Sequence, residues 1–307
     1  MTVTLTGGET RAVPSRGTAP RTRPRRRAAP YLFVLPALLL FAAFKLYPIG
    51  RSFVISLHKT VGGTERFVGA DNYTRLMGDP LFWTALKNTA VILAVQVPAM
   101  LALATGLAVA LNSTLLRGRT VFRLGFFLPM VTGLVAYGII FSVLLNKDYG
   151  LVNWLTGLAG LDPTPWLTDP LWAKVSLGLA LTWHYTGYNA VILLARLQSV
   201  PAELYDAASV DGAGAWTSFR HVTLPGLRPA LLLTTVLSTI GTLQIFDEPY
   251  VLTGGGPDNA TLTIGVYLYQ NAFKYFDFGY ASAIAYALAV LIGILGVIQF
   301  RFLGEKS

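Results

Sequence analysis

The sequence contains no cysteine, which excludes disulfides, cysteine-ligated zinc and thiol catalysis. Charge is also scarce. Asp, Glu, Lys and Arg make up 13% of the 307 residues, about half the share of an ordinary soluble domain. Histidine occurs only at His58, His184 and His221, positions too far apart in sequence to support a metal site. No G-x-x-x-x-G-K-[ST] phosphate loop occurs, and Gly254-Gly255-Gly256 lacks the lysine, so it reads as a turn. The apolar stretches carry no cluster of His, Asp or Glu such as a membrane-embedded enzyme would need. Neither catalytic residues nor a bound metal is therefore expected.

What the sequence has in abundance is apolar surface. Hydrophobic residues account for 53% of the chain, more than a core needs, and the excess points to lipid. Lys and Arg number 24 against 15 acidic residues, giving a net charge of +9. In a soluble protein that surplus would suggest nucleic acid, but its placement here argues for membrane topology and against a nucleic-acid partner. Residues 1–30 hold Arg11, Arg16, Arg21, Arg23, Arg25, Arg26 and Arg27 among Thr, Gly and Pro, with almost no large apolar residues. Such a segment is expected to be a disordered cytoplasmic tail whose arginines set orientation and can touch anionic lipid head groups.

Six stretches of spanning length follow, at 31–57, 86–111, 121–145, 173–196, 228–252 and 281–303. The first is separated from the rest by an outer loop at 58–85, and a permease core at 86–303 precedes a short cytoplasmic end at 304–307. With the tail inside, Arg117, Arg119, Arg123, Arg196, Arg220, Arg228, Arg301 and Lys306 also fall on the cytoplasmic side. That bias satisfies the positive-inside rule with both termini inside. Trp154, Trp166 and Trp172 lie in the outer loops and read most simply as an interfacial aromatic belt.

Between the fourth and fifth spans, residues 197–229 form a cytoplasmic loop. Pro201 suits the start of a helix, and Glu203 and Asp206 suit its early turns, where the dipole favours negative charge. Gly212 and Gly214 interrupt that helix. Asp211 can cap a second one, and Pro225 is expected to end it. Two short helices at a glycine elbow would make a compact knob. Leu204, Ala207, Ala208, Trp216 and Phe219 give it apolar faces to dock.

The string Asp206-Ala207-Ala208, then Asp211-Gly212, then Leu224-Pro225 resembles the EAA motif of binding-protein-dependent ABC importer permeases. Tyr250-Val-Leu-Thr-Gly-Gly-Gly-Pro257 and Tyr275-Phe-Asp-Phe-Gly-Tyr280 are similar to segments of that family's sugar branch. The likeness runs over nearly all of 31–303. The family usually has Glu where this chain has Asp206, whose carboxylate reaches one methylene less far. The resemblance implies an all-α membrane subunit of the type I importer fold, with six transmembrane helices. It also implies a coupling helix seated in a separate ATPase subunit. Gly212 would permit the turn, Asp206 would make a polar contact, and Ala207 and Ala208 would pack closely.

A solute pathway has to be sought among polar residues inside the spans, which are costly in lipid and face a bundle interior or cavity. Thr235, Ser238, Thr239 and Thr242 fall on one helical face, followed by Gln244 and Asp247. The fourth span contributes Thr182, Trp183, His184, Thr186, Tyr188 and Asn189. Such hydroxyls, amides and rings can bind a sugar, and they can equally serve helix packing. The resemblance places Tyr188 and the Ser238, Gly241 and Thr242 segment at solute-contacting positions, with Gln244 close by.

The expected protein is thus a transport subunit of a bacterial cell membrane and not an enzyme. By the resemblance it works with a second permease chain, an ATPase dimer and an extracytoplasmic solute-binding protein. ATP and Mg would be held by the ATPase, with no cofactor on this chain. The solute would be a sugar or oligosaccharide; glycerol-3-phosphate in the same architecture is the alternative. An ion-coupled secondary transporter would want buried acidic pairs near the midplane, and the spans show no convincing pair.

Overall fold

The computed structural model describes residues 29–61, 64–113 and 118–303. The arginines of the tail, together with Arg117 and Lys306, lie outside the described residues. The chain divides into two compact units between Gly50 and Arg51. In the first, α1 (Ala29–Phe41) runs through a π-helical turn at Ala42–Leu46 into α2 (Tyr47–Ser56), which continues past the division. Apolar side chains such as Phe33, Leu39, Phe44 and Ile49 are exposed along it.

The second unit opens with an antiparallel hairpin, β1 (His58–Val61) against β2 (Thr64–Phe67), with His58 opposite Phe67. The expectation of an all-α chain is corrected here, because two short strands occupy the region read as a simple outer loop. Next come α3 (Asp71–Met77) and α4 (Pro80–Asn112), then α5 (Arg119–Val131), α6 (Leu134–Leu144) and α7 (Leu151–Leu158). The bundle continues with α8 (Pro170–Leu197), α9 (Ala202–Val210), α10 (Ala215–Ser218) and α11 (Leu224–Leu243). It ends with α12 (Asp247–Thr253), α13 (Ile264–Tyr269) and α14 (Phe278–Leu303).

Among the described residues, four helical stretches are long and apolar enough to cross a membrane: Phe33–Ser56, Pro80–Asn112, Ala215–Leu243 and Phe278–Phe302. A fifth exists if α5 and α6, bent by 97° at Thr132–Gly133, count as one span. At 28 residues, α8 is long enough at roughly 42 Å. Its middle, Thr182–Asn189, is polar and lowers its mean hydropathy. The reading of 228–252 as one span is also corrected. The helix stops at Leu243 and restarts at Asp247, so residues 244–246 are not helical.

Small residues bring the helices together. Ala104 and Ala108 on α4 meet Ala190, Leu193 and Leu194 on α8 and Leu227 on α11, all buried in one cluster. Without a hydrophobic gain from leaving lipid, close backbone approach is what holds such a contact. Gly187 is the extreme case: a Cβ there would lie 1.7 Å from the Phe126 carbonyl oxygen of α5. Alanine at 187 is expected to force α5 and α8 apart.

At the opposite end a second cluster gathers Leu76, Phe82, Leu262, Ile264, Tyr267, Tyr280 and Ile284. Its polar centre is Asp79, the N-cap of α4, which accepts from the Leu81 N–H at 2.9 Å and the Phe82 N–H at 3.4 Å. The Tyr267 and Tyr280 hydroxyls both donate to its other oxygen. Arg75 bonds Asp277 at 2.6 Å and lies over the Tyr280 ring. One carboxylate thus joins the starts of α4 and α14 to α13. Burial alone would raise the Asp79 pKa, but the two tyrosine hydroxyls and two backbone N–H groups outweigh it and hold the group below its ordinary value.

Asp79→Ala removes a cap and leaves two buried hydroxyls without their acceptor, a cost of about 2 kcal/mol in all. A depressed carboxylate contributes stability above its unfolded pKa of about 3.9, and that contribution is lost as pH falls through the folded value. Thermal melts of the purified protein should therefore show the wild-type advantage over Asp79→Ala at pH 7 shrinking below pH about 4.

Candidate functional site

Two places carry the residues singled out in the sequence. The first is a cavity of about 310 Å³ lined by parts of α4, α5, α6, α8, α11 and α12 and by the break between the last two. A volume of that order falls at the small end of small-molecule sites. Tyr188, Ser238, Gly241, Thr242 and Gln244 all line it. These five residues come from α8, α11 and the break after α11, about fifty positions apart in sequence.

The remaining polar residues of those spans divide by their bonds. Thr239 faces the other way and accepts from the Gln299 amide at 2.6 Å, so it joins α11 to α14. Thr182 and Thr186 donate to carbonyls one turn back, at Gly178 and Thr182. His184 is buried, stacked on Tyr137 with ring centroids 4.5 Å apart and edge-on to Tyr185. Its surroundings are aromatic, and it does not line the cavity.

Glu248 was not singled out in the sequence. It is 2% exposed, lines the cavity and accepts from the Tyr185 hydroxyl at 3.3 Å, with half-buried Asp247 beside it. A span drawn to residue 252 conceals it, because Glu248 then passes as an end residue near water. The break at 244–246 carries it inward instead. The sequence reading passed over this one buried acid; Asp247 beside it is only half-buried. Non-helical backbone at this depth is tolerated where it lines a cavity, and neighbours also satisfy it. Thr263 donates to the Ile245 carbonyl at 2.9 Å, and Gly265 lies against that same carbonyl, where a Cβ would be 2.4 Å from the oxygen.

The second place is the knob at 197–229. Pro201 precedes α9, and Glu203 sits in its first turn. Gly212 takes φ +76° after Asp211, a conformation in which a side chain is strained. Asp206, Ala207 and Asp211 are exposed and Ala208 is partly buried. Two expectations are corrected. Asp211 ends α9 and does not cap the second helix, whose N-cap is Gly214. Pro225 does not stop that helix either, because a π-helical turn at Phe219–Thr223 carries α10 directly into α11, with Leu224 and Pro225 in the first turn. The proline's missing N–H falls within that wider turn.

The knob is braced to the bundle. Tyr205 and Thr223 share a hydroxyl bond of 3.1 Å, and Arg196 donates to the Gly226 carbonyl at 3.0 Å. Large apolar side chains stand exposed among its acidic ones: Val210 is 88% exposed, Trp216 71% and Leu204 51%. Trp216 stacks on Phe219 at 5.5 Å.

Apolar helices around a polar cavity, with a helical knob at one end of the bundle, define the permease subunit of a type I importer. The fold is shared with a bacterial ABC transporter involved in the import of the acidic polysaccharide alginate. That structure matches with a TM-score of 0.80 at 22% identity, covering 90% of this chain and 95% of that one. Residues 102–304 match the family of binding-protein-dependent transport system inner membrane components, and the chain belongs to that family. Its relatives include the lactose transport system permease protein LacF of Rhizobium radiobacter, 45% identical over 283 residues, 90% of this chain and 94% of that one. The arabinooligosaccharides transport system permease protein AraP of Bacillus subtilis is 36% identical, covering 91% of this chain and 90% of its own. Membership of this family, and not a lack of buried acid, excludes the ion-coupled carrier.

The division of the α11 face into packing and cavity is open to measurement. Thr239→Val takes the bonding partner from half-buried Gln299 and should cost about 1 kcal/mol, read as a lowered Tm in detergent. Ser238→Ala should leave Tm close to wild type. Equal losses would contradict the division.

Proposed function

We propose that this chain forms one half of the translocation pathway of an ATP-driven importer for a sugar or oligosaccharide. The observation that carries the reading is the convergence of Tyr188, Ser238, Gly241, Thr242 and Gln244 on one cavity. Hydroxyls and amides bond the many hydroxyls of a sugar, and the Tyr188 ring offers a face for its apolar side. The relatives support the solute class, since their names specify lactose and arabinooligosaccharides.

In this reading α8 completes a set of six spans, with both termini cytoplasmic. A second, homologous permease supplies the other half of the cavity. An extracytoplasmic binding protein delivers the solute, as the alginate importer, solved in complex with a pentasaccharide-bound periplasmic protein, suggests. The knob docks in an ATPase dimer that holds the ATP and Mg. Its exposed Leu204, Val210 and Trp216 form a patch outside the bundle that calls for a protein partner. Asp206, Ala207, Ala208, Asp211 and Gly212 present the contact surface, and Leu224 and Pro225 pass its movement into α11. ATP binding closes the ATPase dimer and draws the knobs together, the cavity opens outward, and hydrolysis resets it.

Gly212→Val tests the coupling. The substitution puts a β-branched residue at φ +76°, where only glycine is comfortable. In proteoliposomes holding the assembled importer, ATP hydrolysis should lose its stimulation by loaded binding protein, and uptake should fall with it. Wild-type stimulation and uptake in this variant would refute the coupling role of the knob.

A further inference from the structure

We infer that Gln96 of α4 is a solute-binding residue, whose amide donates to a hydroxyl oxygen of the sugar. The inference rests on the sugar-import reading and adds a wall to its site, because none of the five residues expected in the pathway lies on α4. Gln96 and Met100, one turn apart on that helix, line the cavity together with Asn189 of α8.

The other buried amides of the chain set Gln96 apart. Among the described residues, six Asn and Gln side chains are buried. Asn72, Asn88, Asn153, Asn189 and Asn271 each donate to a backbone carbonyl at 2.7–3.0 Å. Gln96, 6% exposed, meets the Met100 sulfur at 3.5 Å instead. A thioether is a weak acceptor and compensates little for taking an amide out of water. An amide that served only to fasten helices would reach an oxygen, as Gln299 does on Thr239 at 2.6 Å.

The Asn189 amide nitrogen lies 3.7 Å from the same sulfur, besides its bond to the Tyr185 carbonyl. Two amide donors, one from α4 and one from α8, thus converge on a single soft acceptor at the cavity wall. Methionine has three rotatable bonds and fits itself to irregular surroundings, so the sulfur can yield that position to a solute. A sugar hydroxyl there accepts from Gln96 and from Asn189, and each amide exchanges a weak acceptor for a strong one.

Binding can be read by saturation-transfer NMR titration of lactose against the complete importer in nanodiscs without binding protein, so that the cavity alone is sampled. Gln96→Leu should weaken lactose about fivefold, the contribution of one neutral hydrogen bond. Met100→Leu keeps the volume and removes the sulfur, and it should bind lactose at least as tightly as wild type. Monodeoxy lactoses then separate contact from support. The analogue missing the hydroxyl that Gln96 meets should bind wild type about fivefold more weakly than lactose does, and Q96L no more weakly. Wild-type affinity in Q96L would overturn the inference. Equal weakening by Q96L and M100L would do the same, as would losses that simply add for every deoxy analogue. Should Q96L fail to assemble, Gln96→Met removes the same donor and is judged by the same cycle. A wild-type complex that hydrolyses ATP but gives no signal with lactose or arabinobiose would instead sink the sugar reading, and this inference with it.

Discussion

A peptide group facing hydrocarbon has no water to bond, and this constraint governs where the chain can depart from a helix. The interruption between α11 and α12 is lined on one side by the cavity and met on the other by Thr263 and Gly265. The irregular stretch between α12 and α13 is fastened to α4 in the same manner. The Asn88 amide donates to the Asn259 and Leu262 carbonyls, and the Thr89 hydroxyl accepts from the Ile264 N–H. Each of these buried side chains stands in for water. Because the irregular backbone is secured, it can carry Asp247 and Glu248 inward without unpaired amides around them.

The two ends of the bundle are held by different means. Near the knob, alanines and Gly187 let helices touch through their backbones, so packing there depends on shape. Near the start of α4, Asp79 gathers two tyrosines and two backbone donors, so the junction depends on a charge. The cavity lies between them, lined by small residues such as Ser238 and Gly241 and by amides that are not fully paired. Partial pairing at Gln96 and Asn189 is a cost in stability that a binding site can recover when its solute arrives.

Much of this was legible in the residues themselves. Hydropathy located most of the long helices. The one-face spacing of Ser238 and Thr242 left packing and cavity open, and it was the family resemblance that set them beside Tyr188 on a solute path. The glycine at 212 marked a left-handed turn. What escaped notice depended on pairing between distant positions. Asp79 looks like an ordinary loop acid until Tyr267 and Tyr280 are brought to it. Thr239 and Ser238 carry the same kind of hydroxyl, and only the position of Gln299 separates them. Pro225 read as a stop because a proline usually ends a helix, but a wider turn absorbed it. Glu248 was hidden by a span drawn to residue 252, past the helix end at Leu243, an error that hydropathy invites wherever a short helix follows a break.

The wider turn at Phe219–Thr223 has a mechanical meaning. Because helix runs without a loop from Ala215 to Leu243, 29 residues, Trp216 and the rim of the cavity sit at the two ends of one shaft roughly 40 Å long. A shaft does not choose which end drives it. A displacement imposed at the knob would meet no loop before Gln244 to absorb it, and the same holds in reverse. The π-helical turn at Phe219–Thr223 is where that shaft departs from α geometry. In such a part, loading and firing are the same motion read from opposite ends.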